Sequence, residues 1–252
     1  MPQARDWDDL AELDPFWAVL SEPAFTEGGG SLDEFFSTGA GELSGALDVA
    51  HELGRPVRFG SALDFGCGLG RLSRALAARF ERCTAVDVSP KMLDAARRLN
   101  EDISNVEFVL NERADLGMFE AGSFDLVYSS IVLQHLRSQE EIERFVSELV
   151  RVTAGDGLAV FQVPNEISLR YRLQPRRRAY ALLRRAGVSS SSLYRRGLNP
   201  IQVRALAEHR VREVVEAAGG RVERVLADDS VPPLTSNRYF ATAAGPRSTS
   251  SV

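Results

Sequence analysis

From about residue 58 onward, short apolar runs alternate with longer segments in which apolar residues recur at helical spacing. The apolar runs have the length of buried strands. The predicted strands are the runs ending near Asp64 and Asp87, NVEFVL (105–110), FDLVYSS (124–130), LAVFQVP (158–164), RVERVLADD (221–229) and SNRYFATAAG (236–245). The alternation predicts an α/β fold, and the short SVPPLT between the last two strands favours an antiparallel pair.

Three helices are predicted inside this pattern, and residue types at their ends mark where they begin or finish. Ser89 and Pro90 are residue types that begin helices, the serine as cap and the proline at the first helical position. EEIERFVSELVRVTAGDG (140–157) predicts an amphipathic helix closed by glycine, and VREVVEAAGG (211–220) predicts another.

Residues 1–57 precede the alternating pattern and predict two or three helices. Pro15 interrupts the first helical pattern, and a glycine run at 28–30 separates it from the second. These helices are interpreted either as a layer docked on the sheet or as a cap that also covers a substrate pocket. The two interpretations are compatible.

The connection after the first strand is a glycine loop. Asp64 is followed by Gly66, Gly68 and Gly70, and a helical segment comes next. Glycine allows a tight turn and lets a ligand touch bare backbone, while the helix N-terminus favours an anionic group. Dinucleotide-binding loops have the spacing G-x-G-x-x-G, and Arg71 stands where their third glycine would fall.

A second acidic residue ends the second strand. Asp87 follows Asp64 by 23 residues, and an acid at this distance beyond a glycine loop is placed to accept hydrogen bonds from ribose hydroxyls.

Taken together, the chain resembles the class I S-adenosylmethionine (SAM)-dependent methyltransferases, and within them the small-molecule group that includes the quinone-biosynthesis methyltransferases. The motifs are LDFGCGLG (63–70), AVDVSPKML (85–93), NVEFVLNERADL (105–116), FDLVYSSIVLQHL (124–136) and the strand around Tyr239 and Phe240. The resemblance covers residues 60–165 well and 213–245 by pattern. It implies a Rossmann-like seven-stranded sheet with an antiparallel last strand and helices on both faces, and SAM as cofactor.

The resemblance also implies cofactor contacts. Asp64 would bond the amino group of SAM directly or through water, and Asp87 would hold the ribose. The other implied contacts are Gly66, Gly68 and Gly70 to the methionine part, and Val88 and Met92 beside the adenine.

One implied position departs from the family pattern. The family usually places an Asp after the third strand, against the adenine amino group, whereas this chain has Glu112 there, with Asp115 as the alternative. Ser129 and Ser130, after the fourth strand, would lie near the methionine part and the transferred methyl.

An oxygen acceptor usually needs its proton removed, and histidine suits that task at neutral pH. Of three histidines, only His135 follows a core strand at the predicted cofactor edge, whereas His51 and His209 lie in helical patterns. His135 is interpreted as a general base, as a residue that orients the acceptor, or as a structural residue. The sequence contains no cluster at metal-ligand spacing, and we expect a metal-independent enzyme.

Charge is distributed unevenly along the chain. The net charge is −5, but residues 1–60 contain twelve acids and three basic residues, and residues 165–212 contain twelve arginines and two glutamates. The basic segment predicts a helical insertion in which Ala179, Leu182 and Leu183 dock on an apolar surface. Three interpretations remain: a solvated cover paired with the acidic N-terminal segment, a site for an acidic acceptor, or a nucleic-acid site, which the net charge disfavours.

Cysteine content and hydropathy suggest a compartment. Cys67 and Cys83 are too few for a disulfide framework, and both are expected to be small buried residues. The sequence has neither a membrane-length apolar run nor an apolar signal core at its N-terminus, so we expect a cytoplasmic monomer or homodimer.

The sequence therefore predicts a helical cap (1–57), a SAM-binding domain (58–245) with the basic insertion at 165–212, and a disordered tail (246–252). The predicted activity is methyl transfer to an oxygen atom of a specialised or sugar-derived small molecule. The alternatives are a SAM-binding regulatory or partner protein without catalysis, and an NAD(P)-dependent reductase.

Overall fold

A computed structural model describes residues 2–20, 30–168, 172–228 and 234–243. The predicted disordered tail and most of SVPPLT lie outside these ranges. The strands are β1 (Ser61–Phe65), β2 (Arg82–Asp87), β3 (Val106–Leu110), β4 (Phe124–Ser129), β5 (Thr153–Glu166), β6 (Arg221–Asp228) and β7 (Thr235–Thr242).

These strands form one sheet in the order β3-β2-β1-β4-β5-β7-β6. Strands β1 to β5 pair in parallel, and β7 inserts antiparallel between β5 and β6. The predicted seven-stranded sheet with an antiparallel last strand is confirmed. Its strand order reverses between β1 and β4, where open α/β sheets bind their ligands at the carboxyl ends of the strands.

The described helices surround this sheet. Their bounds are α1 (Pro2–Leu13), α2 (Pro15–Leu20), α3 (Leu32–Glu52), α4 (Arg71–Ala77), α5 (Pro90–Leu99), α6 (Gln139–Val152), α7 (Pro175–Arg185), α8 (Ser190–Tyr194) and α9 (Glu208–Ala217), with a 3₁₀ turn at Leu133–His135. The predicted start of α5 is confirmed, because the Ser89 hydroxyl accepts the Met92 N–H and Pro90 follows at the first helical position. No helix in the described ranges is both long and apolar enough to cross a bilayer.

Two hydrophobic cores lie on opposite faces of the sheet because successive strand residues point to opposite sides. In β1, Leu63 joins the core formed with α6 and α9, and Ala62 joins the core formed with α3 and α4. Helix α3 contributes Leu43 and Ala46 to the second core, so this part of the N-terminal segment is integral to the domain.

The predicted glycine closure of α6 is wrong. The helix ends at Val152, and β5 begins at the next residue, where Thr153 pairs with Phe124. Gly157 lies within the strand instead. A glycine is required there because a Cβ would come within 2.6 Å of the Asp125 carbonyl oxygen. The predicted strand LAVFQVP is thus the middle of a longer strand.

The acidic N-terminal helices contact both helix α5 and the basic insertion. Ser89, the cap of α5, donates its hydroxyl to Asp8 at 2.6 Å, which ties α1 to α5. On the other side of α1, Asp9 accepts the Tyr180 hydroxyl at 3.2 Å and lies 3.5 Å from Arg184.

The predicted apolar docking of α7 through Ala179, Leu182 and Leu183 is wrong for Leu182, whereas Ala179 and Leu183 are half-buried. Leu182 is 69% exposed, and the buried residue of this helix is Tyr180. The helix is held through its polar face because a hydroxyl and an arginine on that face meet the Asp9 carboxylate.

Candidate functional site

A large cavity opens at the carboxyl ends of β1, β2 and β4, at the point where the strand order reverses. Its empty volume is about 1040 Å³, with the mouth included. The glycine loop and the ends of the strands form its floor, and Trp7, Ala18 and Val19 of α1 and α2 complete its lining. The N-terminal segment therefore contributes directly to the cavity.

Two of the three predicted loop glycines line this cavity. Gly66 and Gly68 have φ angles of 79° and 52°, which side chains rarely adopt. A Cβ on Gly66 would lie 2.3 Å from a methyl of Val132, and one on Gly68 would lie 2.8 Å from a methyl of Val19. The loop thus presents bare backbone under the side chains that cover it.

The third glycine has a different place. Gly70 is the N-cap of α4 and is not among the described residues that line the cavity. A Cβ there would come within 2.7 Å of the Asn100 amide, so this glycine is required by packing beneath the loop.

Asp64 lines the cavity with 1% of its surface exposed. The Ser73 hydroxyl donates to its carboxylate at 2.6 Å. Burial disfavours the charged form and raises the pKa of Asp64 to about 7, despite the opposing effects of Ser73 and Arg71. The carboxylate is suited to a cationic partner, which would favour its ionised form.

Asp87 ends β2 as predicted and also lines the cavity. Its two oxygens accept the N–H groups of Gly68 and Ser89, both at 2.9 Å. Burial raises the pKa of Asp87, and these backbone hydrogen bonds oppose the shift. Val88 and Met92 line the same part of the cavity, so the structure brings these predicted contacts together.

The prediction for Glu112 does not agree with the cavity. Glu112 is exposed and is not among the described lining residues, whereas Asn111 and Arg113 on either side of it are. Successive side chains of an extended segment point to opposite sides, which turns the middle residue away. The alternative, Asp115, is occupied by the Gly117 N–H at 3.0 Å.

The two predicted serines separate in the same way. Ser129 is buried and donates its hydroxyl to the Phe65 carbonyl at 3.1 Å, outside the described lining of the cavity. Ser130 lines the cavity. Of this pair, only Ser130 is positioned to meet a bound ligand.

His135 lines the cavity from the turn after β4. Its Nδ1 lies 2.8 Å from the Gln202 carbonyl oxygen, which can only accept, so Nδ1 carries the hydrogen. The basic nitrogen is Nε2, which lies 3.4 Å from the Gln134 amide nitrogen. Trp7 packs edge-on against the ring, with the centroids 5.3 Å apart. Burial lowers the pKa of His135 to about 4, so the imidazole is neutral at pH 7.

Sequence reasoning missed a buried cation in the lining. Arg71 is 4% exposed and pairs with Glu42 at 2.7 Å, and the same carboxylate meets Arg238 at 3.1 Å. Burial opposes ionisation of Glu42, but the two guanidinium groups lower its pKa. The only signal in the sequence was an arginine directly after the glycine loop.

Residues 63–161 match the family model of a methyltransferase domain. The chain is 32% identical over 133 residues to malonyl-[acyl-carrier protein] O-methyltransferase of Serratia marcescens, covering 50% of this chain and 49% of the relative. It is 33% identical over 90 residues to ubiquinone biosynthesis O-methyltransferase of Xanthomonas axonopodis pv. citri, covering 35% and 38%. Ajmaline N-methyltransferase of Rauvolfia serpentina is 32% identical over 96 residues, covering 36% and 32%. The chain spans about half or less of the length of these relatives.

Among solved structures, the fold is similar to that of magnesium protoporphyrin IX methyltransferase from Synechocystis PCC 6803 with bound SAH. The TM-score is 0.62 at 20% identity, and the alignment covers 95% of this chain and 97% of the other. The domain match, the sheet order and the paired acids around the glycine loop agree with one another. Residues 63–161 therefore match a methyltransferase domain, and the chain has the fold of the solved methyltransferase named above.

Proposed function

We propose that this protein transfers the methyl group of SAM to an oxygen atom of a small molecule. The observation that carries the proposal is the pair of carboxylates, buried Asp64 and half-buried Asp87, that line one cavity beside a bare glycine loop. SAM, when bound, supplies a methyl group on a sulfonium sulfur, and transfer to oxygen leaves a neutral thioether.

The residues present fit this cofactor. Burial raises the pKa of both carboxylates, so each gains from a ligand that offers positive charge or hydroxyl donors. Asp64 would hold the ammonium group and Asp87 the ribose hydroxyls, while Val88 and Met92 supply an apolar wall for the adenine.

The residue that lies beside the adenine can be tested by comparing Glu112 with Asn111. Glu112→Ala should change SAM affinity less than twofold because the side chain is exposed. Asn111→Ala should lower the affinity about threefold to tenfold through the loss of a hydrogen-bonding wall residue. Isothermal titration with SAM measures both, and a larger loss in the Glu112 variant would restore the assignment made from sequence.

His135 is proposed to orient the acceptor through Nε2. We expect His135→Ala to lower kcat by about 100-fold because the acceptor loses its alignment, with SAM affinity near normal. Because the pKa of His135 is about 4, the neutral form persists down to low pH. The rate of the wild type should therefore fall only below about pH 5, and a decline near pH 6.5 would contradict this environment.

The activity itself is tested by incubating the purified protein with SAM and a panel of phenolic, sugar and carboxylate acceptors. A product heavier by one methylene, with methyl attached to oxygen, supports the proposal, and methylation at nitrogen redirects it. SAM binding without any product favours the non-catalytic alternative. Absence of SAM binding together with binding of NADH would favour the reductase.

We further propose that the acceptor carries an acidic group, because arginine side chains line two cavities beside the first.

Cys67 and Cys83 are buried and unpaired, which supports a reducing, cytoplasmic setting.

A further inference from the structure

The large cavity lined by Asp64 and Asp87 is here called the cofactor cavity. Two additional cavities, one sharing lining residues with it and the next reaching the basic insertion, lie beside it. The middle cavity, with about 390 Å³ of empty volume, shares Trp7 and His135 with the cofactor cavity. The outer cavity, with about 1300 Å³ including open solvent, lies between α1 and α7 and shares Asp6, Arg177 and Pro200 with the middle one. The three cavities form a series in which each wall between neighbours consists of shared side chains.

The charges of this series favour an anion. Arg137 and Arg177 line the middle cavity, and Arg5, Arg177, Arg184 and Arg185 line the outer one. Asp9 meets Arg184 and the Tyr180 hydroxyl, and Arg137 meets Glu141 at 3.1 Å. The other charged residues of the two linings are Asp6, Arg5, Arg177 and Arg185. Positive groups therefore outnumber negative ones along the path.

Arg177 is the residue common to both cavities. Its Nε donates to the Pro200 carbonyl at 3.1 Å, which holds the side chain in place. Its two Nη groups make no hydrogen bond or ion pair with any residue that the structure describes. A guanidinium with one edge anchored and the other available is suited to grip a carboxylate or phosphate through two parallel hydrogen bonds.

The middle cavity also offers an apolar wall. Trp7, Leu10 and Ile201 contribute to its lining next to His135. A ligand held here would place an apolar body between the cofactor cavity and the arginine, with its anionic end outward.

We infer that the middle and outer cavities form the acceptor site and that the acceptor is an organic anion with an apolar body, gripped at its anionic end by Arg177. The role of this ligand as the methyl acceptor rests on the proposed function. Binding of the anion does not, because it can be measured without turnover. The Asp6 carboxylate lies in both linings and opposes an anion, so it limits the affinity of the site.

The test is isothermal titration of the full chain, saturated with S-adenosylhomocysteine, with 4-hydroxybenzoate, phenyl phosphate and the neutral 4-hydroxybenzamide. At least one anion should bind about tenfold or more tightly than the amide, and the stronger of the two identifies the anionic group as carboxylate or phosphate. Arg177→Met should abolish the preference. Arg178→Met, which changes an exposed neighbour outside both linings, should keep it.

Asp6→Asn provides a variant with the opposite expected effect, a several-fold gain in affinity for the anion, and it does not depend on the stability of the Arg177 variant. Equal affinity for acid and amide, no detectable binding of either anion at millimolar concentration, or an undiminished preference in Arg177→Met would overturn the inference. Two separate titrations distinguish the two proposals: one of the anions in the absence of S-adenosylhomocysteine, and one of S-adenosylhomocysteine alone. If the anion preference is present but S-adenosylhomocysteine does not bind, only the proposed function is rejected. If S-adenosylhomocysteine binds but the anion preference is absent, only this inference is rejected.

Discussion

Replacing Asp87 with alanine should weaken SAM binding by about 100-fold or more. A carboxylate that accepts two ribose hydroxyls makes two charge-assisted hydrogen bonds, each worth about 1.5–3 kcal/mol. The same oxygens hold the N–H groups of Gly68 and Ser89, so the variant also releases the glycine loop from the start of α5. Isothermal titration with SAM and with S-adenosylhomocysteine measures the loss.

The chain offers a control carboxylate in the segment that follows the neighbouring strand β3. Asp115→Ala removes a carboxylate that accepts the Gly117 N–H, lies 3.4 Å from Arg113 and is outside the described lining of the cavity. Its affinity for SAM should stay within twofold of the wild type. Near-normal affinity in the Asp87 variant, or equal losses in both variants, would show that Asp87 does not hold the ribose.

In the absence of cofactor, Asp64 should make the protein less stable as the pH rises. The folded-state pKa of Asp64 is about 7, above its ordinary value of 3.8, so the folded protein retains a proton that the unfolded chain releases. The contribution of Asp64 is therefore most favourable below about pH 4 and is lost progressively up to about pH 7. A shift of this size corresponds to a decrease of as much as about 4 kcal/mol in the free energy of unfolding.

Asp64→Asn tests this directly because asparagine preserves the shape without the charge. Urea unfolding at pH 8 should show the ligand-free variant to be more stable than the wild type, with the difference shrinking towards pH 4. The same variant should bind SAM more weakly, since it lacks the carboxylate for the ammonium group. A ligand-free variant less stable than the wild type at pH 8 would mean that the ionised carboxylate is well compensated in the folded state.

Local signals explain why the fold and half of the site were predictable. The apolar run of β1, the glycines at 66 and 68 and the acid that ends β2 each depend on a few neighbouring residues, and the structure places them as expected. The start of α5 at Ser89 was predictable for the same reason, because capping involves only the first turn of a helix.

The structure differs from the sequence-based expectation where a position depends on how a segment is rotated about its own axis. After β3, a spacing rule pointed to Glu112, but the alternation of the exit segment turns Asn111 and Arg113 into the cavity. In α7, the apolar leucines suggested the buried side, but the helix docks through Tyr180 because Asp9 of α1 lies opposite. Neither preference is visible within the segment itself.

The order of residue types alone determined the seven strands, the glycine loop and the two acids near strand ends. Chain geometry and side-chain alternation act over only a few residues, so these features are visible locally. Only the tertiary structure decided the protonation of His135, the pairing of Arg71 with Glu42 and the series of cavities that ends at Arg177. Burial and electrostatic pairing depend on which distant segments meet. His135 is bonded to a carbonyl 67 residues away, and that meeting is not encoded at any single position.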